Sequence, residues 1–169
     1  MSRSRRKGGP AAGPATPATL ALDALGIDYR GHTYDHDPAA TGYGVEAARA
    51  LGVPEGRIFK TLLVDAGGEL AVGIVPVAGS LDLKAMAAAL GVKTVRMADP
   101  SDAARRTGYV LGGISPIGQR RLLRTVIDDS AADHDTVYVS GGRRGFQVEL
   151  RPEELLRVTR GTYAPIARL

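Results

Sequence analysis

The spacing of apolar and polar positions changes several times along the chain, and each change predicts a new element. Thr16 is a good N-cap, Pro17 suits the first helical position, Leu20, Leu22 and Leu25 follow, and Gly26 supplies the stop. Residues 29–35 alternate as a short strand that ends at Asp37–Pro38, and residues 45–51 form an Ala-rich helix closed by Gly52. Two apolar runs, 58–65 and 69–77, flank Ala66-Gly67-Gly68 and predict a β-hairpin. A third helix over residues 81–90 stops at Gly91, and residues 93–97 read as a strand. Asp99–Pro100 caps a fourth helix, with Asp102 in its first turn and Gly108 at its end. Further strands are predicted at 109–111, 122–127, 136–139 and 146–150, then a short helix from Pro152 and a closing strand at 163–166. Helices and strands are interspersed, yet at least two connections are hairpins. That predicts an α+β fold with a mixed sheet flanked by helices, not a doubly wound parallel sheet.

A length of 169 residues suits one core. Aromatic residues make up 5% of the chain and there is no Trp, so that core must be aliphatic. The basic balance, 22 Lys and Arg against 18 Asp and Glu, is local. Arg3, Arg5, Arg6 and Lys7 stand where no acid occurs, which leaves 18 charges of each sign from residue 8 onward. Residues 1–15, basic and then rich in Gly, Pro and Ala, read as a disordered arm ahead of a single domain at 16–169. With no Cys there is no disulfide, thiolate nucleophile or Cys-bound metal. No apolar stretch follows the basic N-terminus, and no run approaches the roughly 20 residues that cross a bilayer. The expectation is a cytoplasmic protein with no membrane association.

Lys60 is the first residue that this pattern does not absorb. It lies in Ile58-Phe59-Lys60-Thr61-Leu62-Leu63-Val64, apolar on both strand faces, and shares its face with Ile58 and Leu62. Such a lysine either lines a cavity or snorkels out from an edge strand to block aggregation; spacing alone leaves both open. Gly112-Gly113-Ile114-Ser115-Pro116-Ile117-Gly118 is the second. Its glycines allow close backbone approach to an anion or oxyanion, or they simply make a turn. The stretch matches neither the Walker phosphate loop nor the Gly-x-Ser-x-Gly elbow. Ser140-Gly141-Gly142-Arg143-Arg144-Gly145 is a hairpin loop with solvated arginines or a phosphate-facing pair. His32 and His36 share a strand face but stand roughly 13 Å apart at about 3.3 Å per residue, too far to bind one ion. His134 has no obvious partner, so no metal site is expected.

Five stretches, taken in order, carry a resemblance: His32 through Asp37 (HTYDHD), Tyr43 through Ala48 (YGVEAA), Arg57 through Leu62 (RIFKTL), Thr107 through Gly118 (TGYVLGGISPIG) and Tyr138 through Gly145 (YVSGGRRG). Together the chain resembles the YbaK/EbsC family of trans-acting aminoacyl-tRNA deacylases, relatives of the editing domain inserted in bacterial prolyl-tRNA synthetases. Within that family it is most similar to the branch acting on Cys-tRNA(Pro). The resemblance implies a mixed, largely antiparallel, barrel-like sheet with outer helices and a cleft beside Lys60. Lys60 then matches the family's key lysine, which holds the tRNA 3′ end and the scissile ester, and Gly112 the glycine whose backbone approaches the substrate. Tyr34, Tyr43, Thr61, Gly113, Ser115 and Ser140 match substrate-binding positions.

No cofactor is implied. The family's substrate brings its own nucleophile, the cysteinyl thiol, which attacks the ester carbonyl and leaves as a thiolactone. Arg120, Arg121, Arg124, Arg143 and Arg144 become candidates for contact with tRNA. A domain neutral from residue 8 onward should bind tRNA weakly alone, so prolyl-tRNA synthetase is an expected partner. Two alternatives keep the fold: a deacylase for Ala-tRNA(Pro) or another mischarged tRNA, and a non-catalytic module that binds a synthetase.

Overall fold

The computed structural model describes residues 13–169. Residues 1–12, and with them most of the expected arm, lie outside that range. Helix α1 (Pro17–Ala24) starts where Thr16 accepts the Thr19 amide at 3.1 Å and the Thr19 hydroxyl accepts the Thr16 amide at 2.8 Å. This reciprocal cap satisfies two otherwise orphaned donors. The helix buries Ala18 and Leu22, whereas Leu20 and Leu25 face solvent.

Strand β1 (Arg30–Thr33) leads to helix α2 (Tyr43–Leu51), closed by Gly52 at φ 67°. The predicted hairpin forms as β2 (Phe59–Ala66) and β3 (Glu69–Pro76), paired over eight positions from Phe59↔Pro76 to Ala66↔Glu69. Gly67 and Gly68 take φ 73° and 99° in its turn, where a side chain would strain. Next come β4 (Ser80–Leu81), helix α3 (Leu83–Leu90) capped by Asp82, β5 (Arg96–Met97) and helix α4 (Pro100–Thr107) capped by Asp99. The remainder is β6 (Arg124–Asp128), a 3-10 turn (Asp129–Asp133), β7 (Val137–Arg143), β8 (Phe146–Leu150), helix α5 (Pro152–Thr159), β9 (Thr162–Ala164) and β10 (Ala167–Arg168).

Three sheets result: β5-β2-β3-β6-β9, β1-β8-β7 and β10-β4. Five ladders are antiparallel, while β3–β6 and β6–β9 are parallel, so the expected mixed, largely antiparallel α+β fold is present. The expected barrel is not closed. Among the described residues, the five- and three-stranded sheets meet through one isolated bridge, Ile58↔Tyr138, and otherwise through side chains.

Side-chain alternation explains the layering. Phe59, Leu63, Val72, Ile74 and Ile127 of the larger sheet meet Val139, Phe146, Val148 and Leu150 of the smaller one in one cluster. The opposite face of the larger sheet, Val64, Ala71, Val75 and Val126, packs with Met86 and Leu90 of α3 and with Ile166. A third cluster seats Ala47 and Ala48 of α2 on Ile58 and Tyr138. Each fully buried side chain of this size contributes about 1.5–3 kcal/mol. The C-terminal segment is held by Asp128, 5% exposed, whose carboxylate accepts the amides of Ile166 (2.9 Å), Ala167 (2.8 Å) and Ser130 (3.2 Å).

Two elements depart from the sequence reading. Residues 109–111 form no strand: Tyr109 turns inward and donates its hydroxyl to the Ile117 carbonyl at 2.5 Å, while Val110 and Leu111 stay exposed. Residues 93–95 are likewise outside any strand, because β5 pairs only Arg96 and Met97, with Asp65 and Val64.

Candidate active site

A cleft of about 360 Å³ opens where the start of β2 and the smaller sheet meet α2 and the glycine-rich loop. Its walls include Lys60, Thr61 and Ile58 from the β2 segment, Tyr43, Gly44 and Val45 from α2, Tyr34 after β1, Ser140 and Gln147 from β7 and β8, and Leu111, Gly112 and Ile114 from the glycine-rich loop. Lys60 is half-buried and is the single charged side chain of this lining. Of the two readings open at the sequence level, the cavity is where the structure places it. In the sheet β2 lies between β3 and β5, with Lys60 paired to Val75 of β3 and β5 reaching only Val64 and Asp65.

Local structure sets each wall. Tyr43 is the first residue of α2, two positions earlier than the sequence predicts, so its ring stands over the cleft and not along the helix flank. Gly44 allows α2 to approach β3's end, since a Cβ there would stand 2.5 Å from Val77 Cγ2. Tyr34 is fixed by its amide, which donates to the Gly145 carbonyl at 3.0 Å. Burial first, and then the charge of Glu46, push the Tyr34 hydroxyl above its ordinary range, so it is a neutral hydrogen-bonding group at physiological pH. Glu46 itself accepts from the Asp37 amide (2.7 Å) and meets His36 Nδ1 (2.8 Å). Burial would raise that carboxyl, but these contacts outweigh it and hold it below the usual carboxylate range.

The glycine-rich loop forms one rim of the cleft as part of a clasp. Gly112 has φ 81°, and a Cβ there would stand 2.8 Å from Tyr43 Cζ and 2.9 Å from Arg144 Nε. Arg144 donates through Nε to the Leu111 carbonyl at 2.7 Å, and its guanidinium carbon lies 5.3 Å from the Tyr43 ring centroid. Three segments distant in sequence thus converge on one glycine.

Six of the residues singled out from sequence line the cleft: Lys60, Thr61, Tyr34, Tyr43, Gly112 and Ser140. Gly113 and Ser115 do not. Gly113 packs against the Arg143 backbone, where a Cβ would come within 2.8 Å, and Ser115 is fully buried with its Oγ accepting the Ile117 amide at 3.2 Å. Both hold the loop's shape behind the wall.

The arginines do not gather in one place. Arg143 and Arg144 are exposed beside the clasp, and Arg120 is exposed with its amide donating to the Thr107 carbonyl. Arg121 and Arg124 line a separate groove with Ala66 and Glu69, six residues along β2 from Lys60 and so roughly 20 Å away. His32 and His36 each pair with a glutamate, Glu149 at 2.9 Å and Glu46 at 2.8 Å. Among the described residues no three His, Asp or Glu gather as metal ligands.

Sequence reasoning missed Gln147. It stands opposite Ser140 and His32 in the smaller sheet, and is 8% exposed. Its Oε1 and the Thr61 Oγ1 are buried without hydrogen-bond partners, and they are the two such side-chain atoms found among the described residues. Both residues are in the cleft wall.

The lining offers a cation, hydroxyls and backbone, but no His, Asp or Glu to act as a base. A nucleophile–base pair is therefore not built into this wall. Such a site can position and polarise a substrate that carries its own reactive group.

Residues 36–158 match the family profile of the aminoacyl-tRNA editing domain. Over 121 residues the chain is 42% identical to EbsC of Enterococcus faecalis, named as a candidate Cys-tRNA(Pro)/Cys-tRNA(Cys) deacylase; the match covers 70% of this chain and 73% of that one. Among solved structures, one described as a candidate trans-editing enzyme for prolyl-tRNA synthetase superposes with a TM-score of 0.78 at 25% identity, covering 93% of this chain and 100% of that one. A second, of a hypothetical protein, gives 0.81 at 28% identity over 90% of this chain and 100% of its own.

Proposed function

We propose that this chain, which belongs to the aminoacyl-tRNA editing domain family, is a deacylase that clears Cys-tRNA(Pro), and Cys-tRNA(Cys) with it. The observation that carries this reading is the cleft itself: a lone lysine among neutral walls, with no His, Asp or Glu in the lining. The 42% identity to EbsC supports the choice of substrate.

An aminoacyl ester is already activated, and a cysteinyl ester holds its thiol close to its own carbonyl. The sulfur attacks the carbonyl carbon; the S–C bond forms as the C–O bond to the ribose breaks. The thiol proton ends on the ribose oxygen, releasing tRNA and a cyclic thiolactone in a lyase-type cleavage. Lys60 lies where an ammonium can hold the ester and stabilise charge on sulfur and carbonyl oxygen, and Gly112 brings backbone to the same wall. Tyr34, Tyr43, Thr61 and Ser140 shape the aminoacyl pocket. Selection by size gains only about 1–3 kcal/mol per methylene, which is why a second checkpoint beside a synthetase is useful.

Arg143 and Arg144 are best placed to meet the acceptor-end phosphates, with Arg120 next; Arg121 and Arg124 would meet a more distant part of the tRNA. Prolyl-tRNA synthetase is the proposed partner and the cytoplasm the proposed location. The test is release of amino acid from Cys-, Ala-, Pro- and S-methylcysteinyl-tRNA(Pro). The reading requires fast release from the Cys ester as thiolactone and slow release from the S-methyl ester. Release from the Ala ester at the Cys rate would reassign the substrate. No release from any ester would make the chain a binding module.

A further inference from the structure

We infer that Gln147 is the residue that reads the α-amino group of the bound aminoacyl ester, restricting the cleft to aminoacyl-tRNA whose amine is free. The inference rests on the deacylase reading above and adds a recognition element to it.

Gln147 lies in the middle of the smaller sheet, between His32 on β1 and Ser140 on β7. Its neighbours Phe146 and Val148 point into the inter-sheet core, so the amide points to the opposite face, where the cleft opens. The amide ends in a carbonyl oxygen that can only accept a hydrogen bond. That oxygen, Oε1, has lost water and gained no partner. A buried acceptor left in this state is destabilising, and a native fold keeps one where a ligand supplies the donor. Thr61 Oγ1, on the β2 wall of the same cleft, is left in the same state. Two orphaned polar atoms in one cleft mark it as shaped for a polar guest.

The missing donor follows from how the substrate must lie. The mouth is formed by exposed Leu111 and by Tyr43 with Arg144 across Gly112. The nucleotide is the bulky end and stays there, so the aminoacyl end reaches the buried wall that contains Gln147. That end has two hydrogen-bond donors, the thiol and the α-amino group. The thiol is a weak donor and must be free to attack the carbonyl. The α-amino N–H is therefore the match for an acceptor-only oxygen. An ester lacking the amine leaves Oε1 unpaired, and one whose amine is acylated places a bulky group against the wall. Both are discriminated against without any change in the lysine's task.

The test compares Cys-tRNA(Pro) with 3-mercaptopropionyl-tRNA(Pro), which keeps the thiol and ester but lacks the α-amino group. The expected kcat/KM of the unaltered protein is about tenfold higher for the cysteinyl ester, the scale of one hydrogen bond to an otherwise unpaired group. Gln147→Met, close in shape but without an acceptor, should lose that preference by slowing the cysteinyl ester alone. Gln147→Glu, which keeps an acceptor at the same reach, should retain it. Unchanged cleavage of the mercaptopropionyl ester also shows that the variant cleft is folded. Equal losses on both esters, or a preference intact in Gln147→Met, would overturn the inference and leave the deacylase reading standing. Cleavage of neither ester by the unaltered protein would sink both.

Discussion

Replacing Gly112 by alanine puts a methyl group where the clasp leaves no room. The new Cβ would stand 2.8 Å from Tyr43 Cζ and 2.9 Å from Arg144 Nε, and φ at this position is 81°. Gly67, in the β2–β3 turn, is the natural control: its φ is 73°, yet a Cβ there meets nothing within 4 Å. Both substitutions incur the left-handed backbone penalty of about 1–2 kcal/mol. At Gly112 the ring and guanidinium must also move. That disturbs the 2.7 Å bond from Arg144 to the Leu111 carbonyl and the Arg144–Tyr43 stack. Each contact is worth about 1 kcal/mol, so Gly112→Ala should lose about 2–4 kcal/mol in urea unfolding. The functional contrast should be larger. Gly67→Ala should deacylate Cys-tRNA(Pro) at the unaltered rate, since its turn is roughly 20 Å from Lys60. Gly112→Ala displaces the Tyr43 wall and should fall about a hundredfold. Equal deacylation rates in the two variants would refute the role of the clasp.

Asp128→Ala strands the Ile166, Ala167 and Ser130 amides; it should cost about 3 kcal/mol or more and speed hydrogen exchange at the first two. Glu149 should make acid unfolding steeper. Burial raises its carboxyl, but Thr136 and His32 outweigh that and hold it below the ordinary value of 4.5. The stability it contributes is full above that ordinary value and is lost as pH falls through the lower folded one. The stability gap between the unaltered protein and Glu149→Gln, read from urea midpoints down to about pH 3, should therefore shrink with acid; a constant gap would contradict this. Arg144→Ala should raise KM for tRNA and reduce its salt dependence more than Arg121→Ala does, because the two arginines stand at different faces.

The parts of this fold legible in the sequence are those encoded locally. Thr16–Pro17, Gly52, Gly91 and Asp99–Pro100 mark helix ends because caps act within one turn, and the Gly67–Gly68 turn declares its hairpin for the same reason. Residues 109–111 misled because alternation of an inward Tyr109 with exposed Val110 mimics a strand when no partner is available to pair with it. Ser115 looked like a pocket wall through its glycine-rich company, but its hydroxyl is spent on the Ile117 amide.

Gln147 went unnoticed for the converse reason. In Phe-Gln-Val-Glu-Leu a polar residue at alternate positions reads as solvent-facing, and nothing local reveals that the cleft lies on that face. The arginines could not be sorted either. Arg121 and Arg124 resemble Arg143 and Arg144 in composition, and only the tertiary fold separates the groove at the β2–β3 turn from the clasp. Lys60 was legible as a misfit because a charge among apolar alternation violates a local rule.

The central claim, that the cleft around Lys60 is where the ester is broken, is tested most directly by one rate. Single-turnover deacylation of Cys-tRNA(Pro) by Lys60→Ala should fall at least about a hundredfold below that of the unaltered protein, the scale of losing one preorganised charge at the reacting centre. The variant's circular dichroism and melting profile should remain intact. Deacylation at the unaltered rate by a folded Lys60→Ala would remove the lysine, and the account built on it, from the chemistry.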